Sequence, residues 1–216
     1  MKREAETASA FRAIGHYVYE FSSLCWDMKQ ALTSVPGLSG PAYTTIQVIT
    51  GEMTAAPLAD ACFAVCEEAL HGDPEAVKMV RALRGRVLNE ISRRNDLLHG
   101  DWMIGWVSST GVERPDGVVE QITRELPPTL TRVKPGRSGA QKSTQQEIAI
   151  ADLEAEASRV RQLRHTVEDF LRLVEGRAFT VPGTQFVSLR DVYVLHKGVL
   201  TRTGPRAAEV PPWRAH

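Results

Sequence analysis

The chain has 216 residues, 43% of them hydrophobic and 24% charged, with 26 Lys and Arg balanced by 26 Asp and Glu. That length suits one domain with a real core plus an appendage, and the balanced charge excludes a protein drawn to nucleic acid or anionic membrane by its global field. Met1-Lys2-Arg3-Glu4-Ala5-Glu6 opens a polar stretch rather than an apolar leader, and no later run is long enough to span a bilayer, so a cytoplasmic protein with no membrane partner is expected.

A first helix is predicted over residues 8–32, where Phe11, Ile14, Val18, Phe21, Cys25, Met28 and Leu32 recur at three- and four-residue steps. Pro36-Gly37 and Gly40-Pro41 then break the chain, and residues 43–49 read as a short piece of either helix or strand. Residues 57–69 carry Cys62 and Cys66 four apart among apolar neighbours, as two buried, reduced core thiols would sit. None of the cysteine spacings has the form of a zinc knuckle, and no metal, cofactor or disulfide is expected.

Asp73-Pro74-Glu75 is a strong helix start: a capping carboxylate, a first-turn proline, and an acid at the positive end of the dipole. The helix is predicted over residues 74–99, with Gly100 as its C-terminal cap. The hydrophobic period then changes to two. Residues 102–107 and 118–123 flank the turn Arg114-Pro115-Asp116-Gly117, a hairpin pattern, and residues 130–133 add a third short strand. A last helix is predicted over residues 144–175, with Thr144 and Glu147 as a capping box and Gly176 as its stop. The expected class is mainly α: a helical domain over residues 1–178 with a β insertion at about 102–134, then a C-terminal extension over 179–216, partly extended and disordered at its end.

One segment stands out chemically. Arg94-Asn95-Asp96-Leu97-Leu98-His99 brings a fixed cation, an amide and an imidazole to the end of the helix that starts at Pro74. Val80, Leu83, Val87, Ile91, Arg94 and Leu98 form one stripe at about 100° per residue, so Arg94 takes a place where an apolar side chain is due. Asn95 and His99, four apart, nearly stack on the helix surface. Two readings stay open: Glu90, four residues earlier, offers Arg94 an ordinary helical ion pair, and His-Gly is also a common way to end a helix. The full Arg-Asn-x-x-x-His pattern arises by chance on the order of once per hundred chains of this size. Lys78, Arg81, Arg84, Arg86, Arg93 and Arg94 outnumber Glu75, Glu90 and Asp96 on the same helix, a local positive excess or simply a solvated face. Arg93, Asp101 and Trp102 are candidate substrate contacts, Trp102 or Trp106 as a stacking surface for a base, or alternatively as hairpin packing.

Arg94-Asn95-Asp96-Leu97-Leu98-His99 resembles the motif of HEPN domains, where Arg, a polar residue, three variable positions and His lie near a helix end. The resemblance covers the helical parts, about residues 8–99 and 144–175. It implies an antiparallel helical bundle that forms a homodimer with the two motif helices facing each other across a cleft. In active members the cleft is a metal-independent endoribonuclease site, found in toxin–antitoxin, abortive-infection and other phage-defence systems. An antitoxin or nucleotidyltransferase partner would fit that setting. Other members are catalytically silent and act as interaction or nucleotide-binding domains. Carried over, the catalytic residues are Arg94, Asn95 and His99, RNA is the substrate, and no cofactor is implied.

Overall fold

The computed structural model describes residues 2–99, 101–104, 107–113, 119–125, 129–135, 141–178, 193–196 and 199–202. Among them the chain is mainly helical, with α1 (Lys2–Ser34), α2 (Gly40–Gly51), α3 (Ala55–Ala69), α4 (Pro74–Leu98) and α5 (Ile150–Ala178). The strands are β1 (Asp101–Met103), β2 (Val107–Glu113), β3 (Val119–Glu125), β4 (Thr129–Pro135), β5 (Gln141–Glu147), β6 (Tyr193–His196) and β7 (Val199–Arg202). The chain divides into two compact units, one of Met1–Tyr19 with Arg93–Arg159, the other of Glu20–Ser92 with Val160–His216. Among the described residues, no helix is long and apolar enough to cross a membrane.

α1 buries Ala10, Ala13, Tyr17, Phe21, Leu24, Met28, Ala31 and Leu32, so Phe21, Met28 and Leu32 of the expected stripe are buried, while Phe11 is 61% exposed and Val18 is exposed as well. This corrects the expected stripe. From Ala10 to Ala31 the buried apolar set keeps steps of three and four, and its alanines carry the period where larger side chains at 11 and 18 lie about 100° to one side. α1 ends in a Schellman turn: Leu38 N–H donates to Thr33 O at 2.9 Å and Gly37 N–H to Ser34 O at 3.0 Å, with Gly37 at φ 68°. The segment left open between helix and strand is the helix α2, whose Thr44, Thr45 and Thr50 hydroxyls donate back to carbonyls of their own helix.

The Glu20–Ser92/Val160–His216 unit holds most of the core. Leu58, Cys62, Phe63 and Cys66 of α3, Val80, Leu83, Val87 and Ile91 of α4, and Val160, Val167, Phe170 and Val174 of α5 are all buried. The hydrogen bond with Cys66, together with burial, holds the Cys62 thiol well above its ordinary range, so both sulfurs behave as packing atoms. α1 and α5 are joined in this unit by a buried carboxylate: Glu20 accepts from Arg161 Nε at 2.7 Å and pairs with Arg164 Nε at 3.2 Å.

In the other unit, β1, β4 and β5 form an antiparallel sheet in the order β1-β4-β5, and β2 pairs separately with β3 from Val107–Glu125 to Glu113–Val119. The expected turn at 114–117 and the expected cap Gly100 lie outside the described residues, as do Trp106 and most of the C-terminal extension. The start of the last helix is corrected. Thr144 and Glu147 lie in β5, paired with Arg132 and Thr129, and α5 begins at Ile150. A seven-residue ladder satisfies more backbone groups than one capping box, so the strand wins the segment. At its other end α5 runs on to Ala178, two residues past Gly176.

Candidate functional site

α4 starts as its first residues dictate, with Ala76 N–H donating to Asp73 Oδ1 at 3.1 Å. Its C-terminal end carries Arg94 and Asn95, and His99 follows directly, its N–H still donating to Asn95 O at 3.1 Å in the helical pattern. Arg94 is half-buried; Asn95 and His99 are exposed. Arg94 Nη1 donates to Asn95 Oδ1 at 3.1 Å and lies 3.4 Å from His99 Nε2. Residues five apart on a helix are about 140° apart, so this contact needs the long guanidinium to fold across Asn95.

The chemistry follows from the atoms. Where the guanidinium N–H donates, Nε2 of His99 accepts, and a neutral ring in that arrangement carries its proton on Nδ1. A contact of 3.4 Å is at the outer limit of hydrogen bonding. Asn95 is the fixed end of the arrangement, holding the guanidinium beside the imidazole.

No protein-family model, no curated protein and no solved structure matches the chain.

The remaining sequence candidates have distinct places. Arg93 donates to Glu156 of α5, which also accepts from Arg159, so Arg93 is committed to an ion-paired cluster. Burial pushes the Glu156 carboxyl up, but the hydrogen bonds from Arg159 and Arg93 outweigh it and hold the group below its ordinary range. Glu156 and Arg159 were not legible as neighbours of the motif helix, since they lie more than sixty residues away in sequence from Arg93. Asp101 begins β1, directly after the helix, and pairs with Thr131. Trp102 is half-buried and its indole N–H donates to Leu97 O at 2.8 Å, satisfying one of the carbonyls that a helix end leaves open. Replacing Trp102 by Phe should cost about 0.5–1.5 kcal/mol, read as a lower denaturant midpoint with an unchanged slope.

The expected positive excess on α4 is largely cancelled. Lys78 pairs with Glu75, Arg81 with Glu67, Arg84 with Asp60 and Arg93 with Glu156. A hollow of about 560 Å³ between α3 and α4, lined by Asp60, Glu67, His71, Arg81 and Arg84 among others, has both arginines turned onto carboxylates. Among the described residues, no group of three or more His, Cys, Asp or Glu side chains has the geometry of a metal site.

Proposed function

We propose that this chain is a metal-independent endoribonuclease of the HEPN kind, acting in a toxin–antitoxin or defence setting, with Arg94, Asn95 and His99 as its catalytic group. The reading is carried by one observation: the Arg94 guanidinium reaches both Asn95 Oδ1 and His99 Nε2, which gathers a phosphate-binding cation and a proton-transfer group at one exposed helix end. His99 takes the 2′-hydroxyl proton, the 2′-oxygen attacks phosphorus, and the P–O5′ bond breaks, leaving a 2′,3′-cyclic phosphate. The departing 5′-oxygen takes a proton from a second histidine, His99 of a dimer partner. Arg94 binds the phosphorane oxygens as charge accumulates on them, and Asn95 keeps the guanidinium in register.

The test is direct. Purified protein is incubated with mixed RNA in chelator, and the termini of the products are mapped. Cyclic-phosphate ends that disappear in His99→Ala are expected; an inert wild type, or equal cleavage by both proteins, would sink the assignment.

A further inference from the structure

α1 carries a second apolar face. It is one continuous helix from Lys2 to Ser34, so where its residues fall around the axis follows from a rotation of about 100° per residue. The core stripe runs through Ala13, Tyr17, Leu24 and Met28. Roughly 150° away lie Phe11, Gly15, Val18, Tyr19, Ser22 and Trp26, all exposed and all within an arc of about 100°. Phe11, Tyr19 and Trp26 are each 60–64% exposed. Glu6, Arg12, Glu20 and Asp27 fall outside this arc, so about 22 Å of outward helix surface bears no charge. A helix whose core stripe is already buried ordinarily turns charged residues to that side.

The order of residues along the face identifies what covers it. Laid antiparallel against itself, about a two-fold axis between Val18 and Tyr19, the stripe sets Phe11 against the partner's Trp26, Gly15 against the partner's Ser22 and Val18 against the partner's Tyr19. An aromatic pair closes each end, and the smallest side chains sit where two helix backbones come closest. Gly15 has no other use: a glycine inside a helix costs about 1 kcal/mol relative to alanine, and a Cβ at that position would meet nothing within 4 Å in its own chain. Charge selects the direction. Glu4 and Lys29 lie on the same side of the helix at opposite ends of the stripe, so antiparallel pairing brings acid toward base, whereas parallel pairing would bring like toward like. The area is sufficient as well. Three aromatics exposed to this degree present on the order of 350 Å² per copy, and with Val18, Ser22 and the open floor at Gly15 a symmetric pair buries about 1,000 Å² in total, the lower bound for a specific interface.

We propose that the face bearing Phe11, Gly15, Val18, Tyr19, Ser22 and Trp26 is an isologous interface through which α1 pairs antiparallel with α1 of a second copy of this chain. The inference stands on α1 alone and does not use the reading of Arg94, Asn95 and His99. A membrane surface would also accept exposed aromatics, but it has no use for a stripe that matches itself in reverse, and basic residues do not flank this one on both sides as they do in interfacial helices.

The test is the solution mass of the full chain by sedimentation equilibrium over about 5–500 µM, the range suited to the affinity of a small interface. The mass of the wild type should double as concentration rises. Val18→Glu and Val18→Lys each place like charges together beside the axis, and each should abolish the doubling. An equimolar mixture of the two should restore it, a rescue that misfolded variants could not give. The register is read separately with Gly15→Cys/Ser22→Cys in a Cys25→Ser background: oxidation should give a disulfide-linked dimer bridged between positions 15 and 22, which lie about 10 Å apart on one helix and cannot bridge within a chain. A wild type whose mass does not double, whether it stays free or co-sediments with phosphatidylglycerol vesicles, overturns the interface. So does doubling that persists in both single variants, a mixture that fails to restore it, or oxidation that yields no dimer linked between positions 15 and 22.

Discussion

If the chain cleaves RNA as proposed, alanine at Arg94 should lower that cleavage about 10²–10³-fold, the usual cost of deleting one preorganised group that binds transition-state charge. The loss should fall on kcat more than on KM, because in the proposed reaction the guanidinium would meet the phosphate most strongly when the phosphorane carries its extra charge. Arg94→Lys should lie between wild type and alanine: it keeps the charge but loses the planar fork that can hold Asn95 Oδ1 and a phosphate oxygen together. His99→Ala should cost about 10²–10⁴-fold through lost proton transfer. The double variant should be little worse than the poorer single one, since residues acting on one transition state do not contribute independently. Single-turnover cleavage of one labelled RNA by the four proteins measures all of this. A fully additive double variant, or Arg94→Ala that changes KM alone, would mean that Arg94 only helps to bind RNA. Toxicity on expression that vanishes with Arg94→Ala would carry the same result into the cell.

How far the sequence could be read depended on how local the deciding physics was. Asp73-Pro74-Glu75 specified the start of α4 because a cap needs only its own turn, and Asp73 Oδ1 does accept from Ala76 N–H. Thr144 to Glu147 were misread as a helix start because their pairing with Arg132 to Thr129 is set by a distant strand that a local capping pattern cannot reveal. In α1 the weight given to Phe11 and Val18 hid a stripe of alanines around Tyr17 and Leu24, which pack because they are small. At the site, the spacing of four between Asn95 and His99 shows as the backbone bond from His99 N–H to Asn95 O, while the Asn95 amide oxygen accepts from Arg94. The reach of Arg94 to His99 was not legible in the sequence, because it depends on how a long side chain folds over its neighbour. The clamp on Arg93 by Glu156 is tertiary, and no pattern within α4 could announce it.

Asp27→Asn should stabilise the protein above pH 7 and leave it unchanged near pH 4. Burial first, and then the charge of Glu168, push the Asp27 carboxyl from its ordinary 3.8 up to about 6, against the opposing pull of Arg164, Arg172 and His165. Its Oδ2 is buried with no hydrogen-bond partner among the described residues, so the ionised form has little to replace lost water. Between about pH 4 and 6 the folded chain keeps a proton that the unfolded chain has released. Stability from this group is therefore fully present below about pH 4 and is lost as pH rises through 6. A gap of about two pH units at about 1.36 kcal/mol each sets an upper bound of about 3 kcal/mol, and solvent screening of this half-exposed carboxylate brings the penalty at pH 7.5 to about 1–2 kcal/mol. Asparagine keeps the shape and removes the charge, so it should recover most of that amount. The melting midpoint should rise by about 2–8 °C at pH 7.5 for a chain of this size. Thermal melts of wild type and variant at pH 4, 6 and 7.5 check the sign as well as the size. The two curves should converge as pH falls, and a variant less stable than wild type at pH 7.5 would show that the Asp27 carboxylate is held by Arg164 and Arg172 more firmly than burial and Glu168 oppose it.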